Sequence, residues 1–98
     1  MDNDVNGLTV THNQPAGQFE VAFEQGLAFL TYQLSGDRMF VLHTEVPEVL
    51  EGHGIGGKLA AAALDHARNE GLRVVLYCEF VTAYVERHPE YADLVAEE

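Results

Sequence analysis

Six residues, Gly52 to Gly57 (GHGIGG), contain four glycines and stand directly before an alanine-rich segment. Glycine loses much conformational entropy when the chain is ordered, so such a cluster needs a structural or chemical reason. One reason is a tight turn whose backbone N–H groups bind an anion at the start of a helix. The other is a plain loop between two elements. The segment therefore predicts either a phosphate-type site or a simple connection.

Two nucleotide-binding motifs partly match this loop. Its glycines agree with GxGxxG, and Glu79 follows near the distance expected for a ribose-binding acid. A P-loop would end in Gly-Lys followed by Ser or Thr, whereas Gly57-Lys58 is followed by Leu59. Both motifs also belong to folds with several consecutive parallel strands. The order of elements predicted below does not supply them, and both motifs are therefore disfavoured.

Three side chains outside the loop could carry a proton or an acyl group. His43 and Glu45 are two residues apart in a predicted strand, so they share a face. There they could accept a proton, or simply form an exposed polar surface. Cys78 could act as a nucleophile, but nothing beside it in sequence explains a reactive thiolate, and it could equally be a small apolar strand residue. The histidines show no metal-ligand spacing, so no metal is expected.

Hydrophobic periodicity predicts the elements that position these residues. Apolar and polar residues alternate in four segments joined by short turns, which indicates an antiparallel meander. Beyond Pro47 the apolar residues recur at helical spacing, which predicts a first helix. A continuous apolar run, typical of a strand covered on both faces, follows it and precedes a second helix. The predicted strands are Leu8–Thr11, Phe19–Phe23, Leu27–Leu34, Met39–Val46 and Val74–Cys78, with turns at Gln14–Gly17, Gln25–Gly26 and Ser35–Asp37.

The first helix has an apolar stripe and is capped by Gly71, and the second is stopped by Pro89 with one last turn beyond it. The stripe consists of Ile55, Leu59, Ala63, Leu64 and Ala67; the second helix runs over Phe80–Arg87, and the last turn contains Tyr91, Leu94 and Val95. Four strands, helix, strand and helix predict an α+β fold. Its one crossover makes the fifth strand parallel to the fourth.

Composition limits the class of protein. Ninety-eight residues with 47% hydrophobic content predict one globular domain, residues 1–98. Five basic against sixteen acidic residues give a net charge of −11, which disfavours nucleic acid as a partner. The acidic surface would attract an amine or a basic protein, or it could serve only solubility. No apolar run suits a membrane span and the N-terminus MDNDVNGL is not that of a signal peptide. A single cysteine suits the cytoplasm.

Two segments carry a resemblance to a known superfamily. VPEVLEGHGIG, from Val46 to Gly56, resembles motif A of the GNAT N-acetyltransferases, (Gln/Arg)-x-x-Gly-x-(Gly/Ala), and AYVERH, from Ala83 to His88, is similar to their late helix. More narrowly, HTEVPEVLEGHGIGGKL with CEFVTAYVERHPEYADLV resembles a group of minimal single-domain members. The resemblance implies a GNAT-like fold that uses acetyl-CoA to acetylate a small amine or a protein lysine.

The resemblance also assigns roles. The turn would cradle the pyrophosphate of acetyl-CoA, with the pantetheine arm in a cleft where the fourth and fifth strands splay apart, and Gly56 would leave room for the diphosphate. The backbone N–H of Val46 would polarise the thioester carbonyl. Tyr84 would protonate the leaving sulfur, although it could instead be an aromatic anchor. The implied cofactor-binding residues are Val46, Gly52, His53, Gly54, Ile55, Gly56, Gly57 and Lys58.

Two positions depart from the motif. Glu51 stands where Gln or Arg is usual, and His53 where Arg or Lys is common. A carboxylate beside a diphosphate is repulsive, although Lys58 could restore a positive charge. The departure leaves open a second function, a coenzyme A-binding regulatory or interaction module without turnover.

Overall fold

Five strands form one mixed sheet in the order β1-β2-β3-β4-β5 in the computed structural model, which describes residues 9–24 and 26–96. The first four strands are antiparallel neighbours, and β5 is parallel to β4. The predicted α+β class and the parallel fifth strand are confirmed. The strands are β1 Thr11–Asn13, β2 Gln18–Phe23, β3 Gly26–Ser35, β4 Arg38–Glu45 and β5 Arg73–Leu76.

Within residues 9–24 and 26–96, two α-helices and three short 3₁₀ helices connect or follow the strands. The helices are α1 Ile55–Asn69 and α2 Glu79–Arg87, and the 3₁₀ helices are Gln14–Ala16, Glu48–Leu50 and Pro89–Leu94. Gly71 follows α1 with a left-handed φ of 71°, as its predicted capping role requires. The last 3₁₀ helix replaces the predicted final turn, because Pro89 starts a new segment at its first position.

Nearly all strand ends differ from the prediction by at least one residue, and three of these differences concern the first strand or the residues near the site. The first predicted strand began at Leu8, which lies outside the described residues, and the observed β1 starts only at Thr11. Val46 follows β4 rather than ending it. Cys78 is not in β5, since it is the residue that caps the N-terminus of α2.

The core lies between the helices and one face of the sheet. All five residues of the predicted stripe are at most 1% exposed, and they join Leu30, Met39 and Val41 of the sheet and Val81 of α2 in one cluster. The alanines of α1 have no bulk beyond Cβ, so the helix approaches the strands closely. Val74 and Val75 point to opposite faces of β5 and both are buried, as expected of a strand covered on both sides.

The gap that creates the site arises in β4. A register shift pairs Tyr32 with Val41 but Thr31 with His43, so one extra residue, Leu42, is inserted in β4. Pairing between β4 and β5 ends at Val41 and Leu76, while β4 continues against β3. The fourth and fifth strands therefore separate beyond Val41, where the resemblance placed a cleft.

Aromatic rings join β1 to the far end of α1. His12 stacks on Phe19 with ring centroids 4.1 Å apart, and the edge of His66 meets His12 at 4.5 Å. The His12 Nε2 atom also hydrogen-bonds the Tyr32 hydroxyl. Burial, and next the proximity of His66, lowers the pKa of His12 below its ordinary value. The cluster therefore stabilises the neutral form of the imidazole.

This cluster gives a prediction for stability against pH. Because the pKa of His12 is lower in the folded than in the unfolded chain, the unfolded chain binds more protons as pH falls below about 6.5. The free energy of unfolding is then highest above that pH and decreases below it. We expect urea titrations between about pH 8 and about pH 5 to show this decrease, and His12→Phe, which keeps the stacked ring, to reduce it. An equal pH dependence in the variant would contradict this origin.

Candidate functional site

A cavity of about 560 Å³ opens where the end of β4, the glycine loop, the start of α1 and α2 meet. Residues from all four of these segments line the cavity. The cavity therefore results from the separation of β4 from β5 together with the packing of α2 beside α1. They are Thr44, Val46, Leu50, Glu51, Gly52, Gly54, Ile55, Gly56, Gly57, Phe80, Tyr84, Arg87 and His88.

Two glycines of the loop are required by backbone conformation. Gly52 has φ +90° and Gly54 has φ +79°, values that residues with a Cβ rarely adopt. No heavy atom lies within 4 Å of the position that a Cβ would occupy at either residue, so the space beside them is open. Gly54 is also the N-cap of α1. The two glycines therefore turn the chain sharply into the helix while leaving its end accessible.

The first turn of α1 presents free backbone donors to the cavity. The earliest helical hydrogen bond joins the N–H of Lys58 to the carbonyl of Gly54, at 3.1 Å. The N–H groups of Ile55, Gly56 and Gly57 precede it and have no hydrogen-bond partner among the described residues. Such donors at the positive end of a helix dipole suit an anion. The loop therefore fits an anion site better than a plain connection.

The other two glycines are required by packing. A Cβ on Gly56 would lie 2.6 Å from Cζ of Phe80, and one on Gly57 would lie 3.3 Å from Cε1 of Tyr84. The space beside Gly56 that was expected to admit a diphosphate is thus filled by an aromatic ring. The paired glycines bring α1 against the ring-bearing face of α2, and so hold Tyr84 at the cavity wall.

Tyr84 is held on several sides. Its ring stacks on His88 with centroids 4.1 Å apart, and it lies 6.2 Å from the ring of Tyr91. Burial, followed by the charges of Glu90 and Asp65, raises the pKa of Tyr84, while Arg87 opposes the rise. Tyr84 therefore keeps its phenolic proton at neutral pH. A fixed phenol with a retained proton can act as an acid.

The segment after α2 is anchored to α1. Arg68 donates to both carboxylate oxygens of Asp93, at 3.0 and 3.1 Å, and to the carbonyl of Glu90 at 2.8 Å. The Tyr91 hydroxyl donates to Asp65 at 2.9 Å, and burial, together with that hydrogen bond, raises the pKa of Tyr91 to about 12. These contacts fix the chain beside Tyr84.

The distribution of cations favours an anionic ligand. Arg68 and Arg73 are engaged, the first with Asp93 and the second with the carbonyl of Val95. Within residues 9–24 and 26–96, Lys58 and Arg87 carry no ion pair or side-chain hydrogen bond. Arg87 lines the cavity together with Glu51, and Lys58 lies in the first turn of α1 without lining it. In a chain of net charge −11, two cations without a direct carboxylate partner in this region differ from the general surface.

The structure brings together seven of the twelve residues named from the sequence. Those that line the cavity are Val46, Gly52, Gly54, Ile55, Gly56, Gly57 and Tyr84. His53 and Lys58 belong to the same loop and helix turn without lining the cavity, and the Lys58 N–H is engaged within the helix.

Cys78 lies behind the cavity wall. Its side chain is buried, with 7% of the residue exposed, and the thiol donates to Oγ1 of Thr44 over 3.4 Å. Thr44 lines the cavity and Cys78 does not. The thiol is therefore adjacent to the site but covered.

His43 and Glu45 lie on the other side of the sheet. Nε2 of His43 and Oε1 of Glu45 are hydrogen-bonded to each other at 3.0 Å, and both side chains are 59% exposed. Because Thr44 pairs with the buried Leu30, it is Thr44 and not its neighbours that points toward the core and the cavity. The sequence left open whether the face of His43 and Glu45 borders the cleft, and in this structure it does not.

The sequence analysis did not single out several cavity residues. These are Thr44, Leu50, Phe80, Arg87 and His88. A signal was present for two of them, since Phe80 and His88 lie four residues before and after Tyr84 and so share its helix face.

Two kinds of feature are absent from the described residues. Within them, no three or more His, Cys, Asp and Glu side chains are grouped so that they could hold a metal ion. No helix in this part of the chain has the length and apolar character needed to cross a membrane.

Comparisons with known proteins agree on one family. The profile of the family described as GCN5-related N-acetyl-transferase matches residues 18–94. Protein NATD1 of the mouse is 38% identical over 85 residues, covering 84% of this chain and 77% of that protein, and NATD1 of Danio rerio is 33% identical over 93 residues, covering 90% and 84%. The fold is similar to the solution structure of a GCN5-like protein from Staphylococcus aureus, proposed to be an N-acetyltransferase, with a TM-score of 0.73, 26% identity and coverage of 93% and 90%. The chain therefore belongs to the GCN5-related N-acetyltransferase family.

Proposed function

We propose that this protein, as a single domain over residues 1–98, binds acetyl-CoA in the cavity and transfers the acetyl group to a small amine or a protein lysine. The observation that carries the proposal is the meeting, in one cavity, of the free amides of α1 with the phenol of Tyr84. One end suits a diphosphate, and the other supplies an acid. Family membership supports the choice of acetyl-CoA.

The residues present fit the cofactor. A volume of about 560 Å³ is within the range of about 300–1,000 Å³ that small-molecule sites occupy. The N–H groups of residues 55–57 would hold the diphosphate, assisted by Lys58 and Arg87, and the apolar side chains of Val46, Leu50 and Phe80 would line the pantetheine arm. Free backbone donors and cations together at the start of a helix suit a diphosphate.

The transfer needs a polarised carbonyl, a deprotonated amine and a proton for the leaving sulfur. The backbone N–H of Val46 would polarise the carbonyl, as the family resemblance implies. The amine nitrogen would attack the thioester carbon and give up a proton to solvent as the amide forms. The carbon–sulfur bond would break, and Tyr84 would give its proton to the departing thiolate and regain one from solvent. Because burial raises the pKa of Tyr84, the phenol carries its proton at neutral pH and has one to give.

Direct transfer is favoured over an acetylated cysteine. A nucleophilic thiol must reach the thioester, whereas Cys78 is buried and hydrogen-bonded to Thr44 outside the cavity lining. Its side chain would have to displace Thr44 to enter the cavity. A packing role for Cys78 requires no such movement of side chains.

A second function, coenzyme A binding without turnover, is favoured by Glu51. Its carboxylate lines the cavity beside the glycine loop, where it would repel a diphosphate. We expect Glu51→Gln to lower the dissociation constant for coenzyme A, measured by calorimetry. An increase would show that Glu51 has a favourable role in the site.

An acetyl-transfer assay separates the two functions. Wild-type protein is incubated with acetyl-CoA and a panel of small amines and lysine peptides, and free thiol is measured as coenzyme A is released. We expect coenzyme A to be released only when an acceptor amine is present. The proposed location of the enzyme is the cytoplasm, where acetyl-CoA is available. Coenzyme A binding with no release in any reaction would favour the module without turnover.

A further inference from the structure

His88 is the histidine that the cavity contains, and nothing above gives it a chemical task. It lines the cavity next to Arg87, directly after the last residue of α2. Its ring stacks on Tyr84, with centroids 4.1 Å apart and planes inclined by 25°. On the other side, Nδ1 of His88 is 3.7 Å from Oε2 of Glu90. An imidazole is thus oriented between the proposed acid and a carboxylate.

The carboxylate of Glu90 lies beside one ring nitrogen of His88. The separation of 3.7 Å from Nδ1 is longer than a hydrogen bond, and with the proton on Nδ1 the Nε2 atom has a lone pair that can accept another. The same carboxylate stabilises the imidazolium once Nε2 is protonated. An imidazole oriented by a carboxylate is a common arrangement for a base.

The other lining residues are less suited to accept a proton. Arg87 is permanently charged, and Tyr84 holds its proton. Glu51 lies on the loop that would carry the diphosphate, and carboxylates are weak bases at neutral pH. His43 and Glu45 lie across the sheet. Histidine is the side chain that changes charge between about pH 5 and 8.

We propose that His88 is the base that takes the proton from the acceptor amine in the cavity, with Glu90 orienting it. The inference rests on the proposed acetyl transfer. A proton passes from the ammonium group to Nε2 of His88, the freed amine forms the bond to the acetyl carbon, and the carbon–sulfur bond breaks as Tyr84 protonates the sulfur. The nitrogen of the new amide loses its second proton, which returns through solvent to the phenolate of Tyr84, and the imidazolium loses its proton to solvent, so that both side chains return to their initial forms.

The charged and titratable groups around His88 come from every element that packs near it. They are Tyr84 and Arg87 of α2, Glu90 and Tyr91 of the last 3₁₀ helix, Asp65 of α1 and Glu51 of the loop. This set contains three carboxylates and one guanidinium.

His88→Phe is the decisive variant, because phenylalanine can keep the stack on Tyr84 but cannot accept a proton. We expect kcat for acetyl transfer to fall by about 10²- to 10⁴-fold, and the decrease of kcat/KM on the acid side of the wild-type pH profile to disappear. In His88→Ala, added imidazole should restore part of kcat. Melting temperature and acetyl-CoA affinity are measured for each variant, so that losses of fold or of cofactor binding are separated from losses in the chemical step.

Each outcome bears on a different claim. A folded His88→Phe variant with wild-type kcat and an unchanged acid limb would overturn the assignment, since the stack alone would then account for His88. A low kcat with the acid limb retained and no rescue of His88→Ala by imidazole would overturn it as well. Wild-type protein that binds acetyl-CoA but transfers nothing to any amine would overturn the proposed function and this inference together.

Discussion

Tyr84→Phe is expected to lower kcat for acetyl transfer by roughly 10- to 10⁴-fold, the upper limit being a full general-acid contribution. The hydroxyl donates its proton mainly in the transition state, so affinity for acetyl-CoA should change little. The ring and its stack on His88 remain, and the fold should survive. Steady-state kinetics with a fixed amine acceptor, together with calorimetry, measures both quantities.

Tyr91→Phe is the matched control. The substitution also removes only a hydroxyl, and the ring centroid of Tyr91 lies 6.2 Å from that of Tyr84 without Tyr91 lining the cavity. The variant should lose some stability because the hydrogen bond to Asp65 is lost, but its kcat should be unchanged. Equal kcat losses in the two variants would mean that Tyr84 acts only through packing.

Cys78→Ala distinguishes direct transfer from an acetyl-cysteine route. If transfer is direct, Cys78→Ala loses a small amount of packing and keeps most of its activity, while Tyr84→Phe loses activity. If the acetyl group passes through the thiol, Cys78→Ala loses more activity than Tyr84→Phe, and wild-type protein without acceptor gains one acetyl mass on Cys78. A stable adduct that an added amine removes would overturn direct transfer.

The second large effect is expected from Gly56→Val. A Cβ at this position would lie 2.6 Å from Phe80, so the ring and the start of α2 must move away from α1. The cavity wall moves with them. We expect the dissociation constant for acetyl-CoA to rise at least tenfold, or about 1.4 kcal/mol, with a lower melting temperature.

Two controls show whether the ring is the reason. Gly36→Val introduces the same side chain at φ +61° in the turn between β3 and β4, with no atom within 4 Å, so it should lose stability through backbone strain and keep its affinity. In a Phe80→Ala background, Gly56→Val should cost less stability than in the wild type. Wild-type affinity in a folded Gly56→Val protein would show that this glycine is not needed at the site.

The sheet was largely predictable because alternation survives in strands that have one buried face. Phe19, Val21, Leu30 and Val41 are all buried as their spacing predicted. The first strand was predicted too early, because the paired residues His12 and Asn13 are polar and give no such alternation. Their place in the sheet is fixed by tertiary contacts, such as the stack of His12 on Phe19.

The composition of the site was harder to predict. The sequence showed that His43 and Glu45 share a face, but the side of the sheet on which the cavity opens depends on how the helices pack, which no local pattern encodes. The inserted residue Leu42 also changes which residues of β4 face the core. The glycines of the loop were also only partly predictable. The turn at Gly52 and Gly54 could be predicted from the sequence as the start of a helix. The need for glycine at position 56 could not, because it comes from contact with Phe80, which is 24 positions later in the printed sequence.

Calorimetric titration of the wild-type protein with acetyl-CoA, paired with its melting temperature, tests the central claim most directly. The account predicts saturable binding at one site per chain. It also predicts a higher melting temperature, because ligand at about 100 times its dissociation constant stabilises the folded state by about 2.7 kcal/mol. If acetyl-CoA at millimolar concentration gave no heat of binding and no shift in melting temperature, that result would contradict the assignment of the cavity to this cofactor.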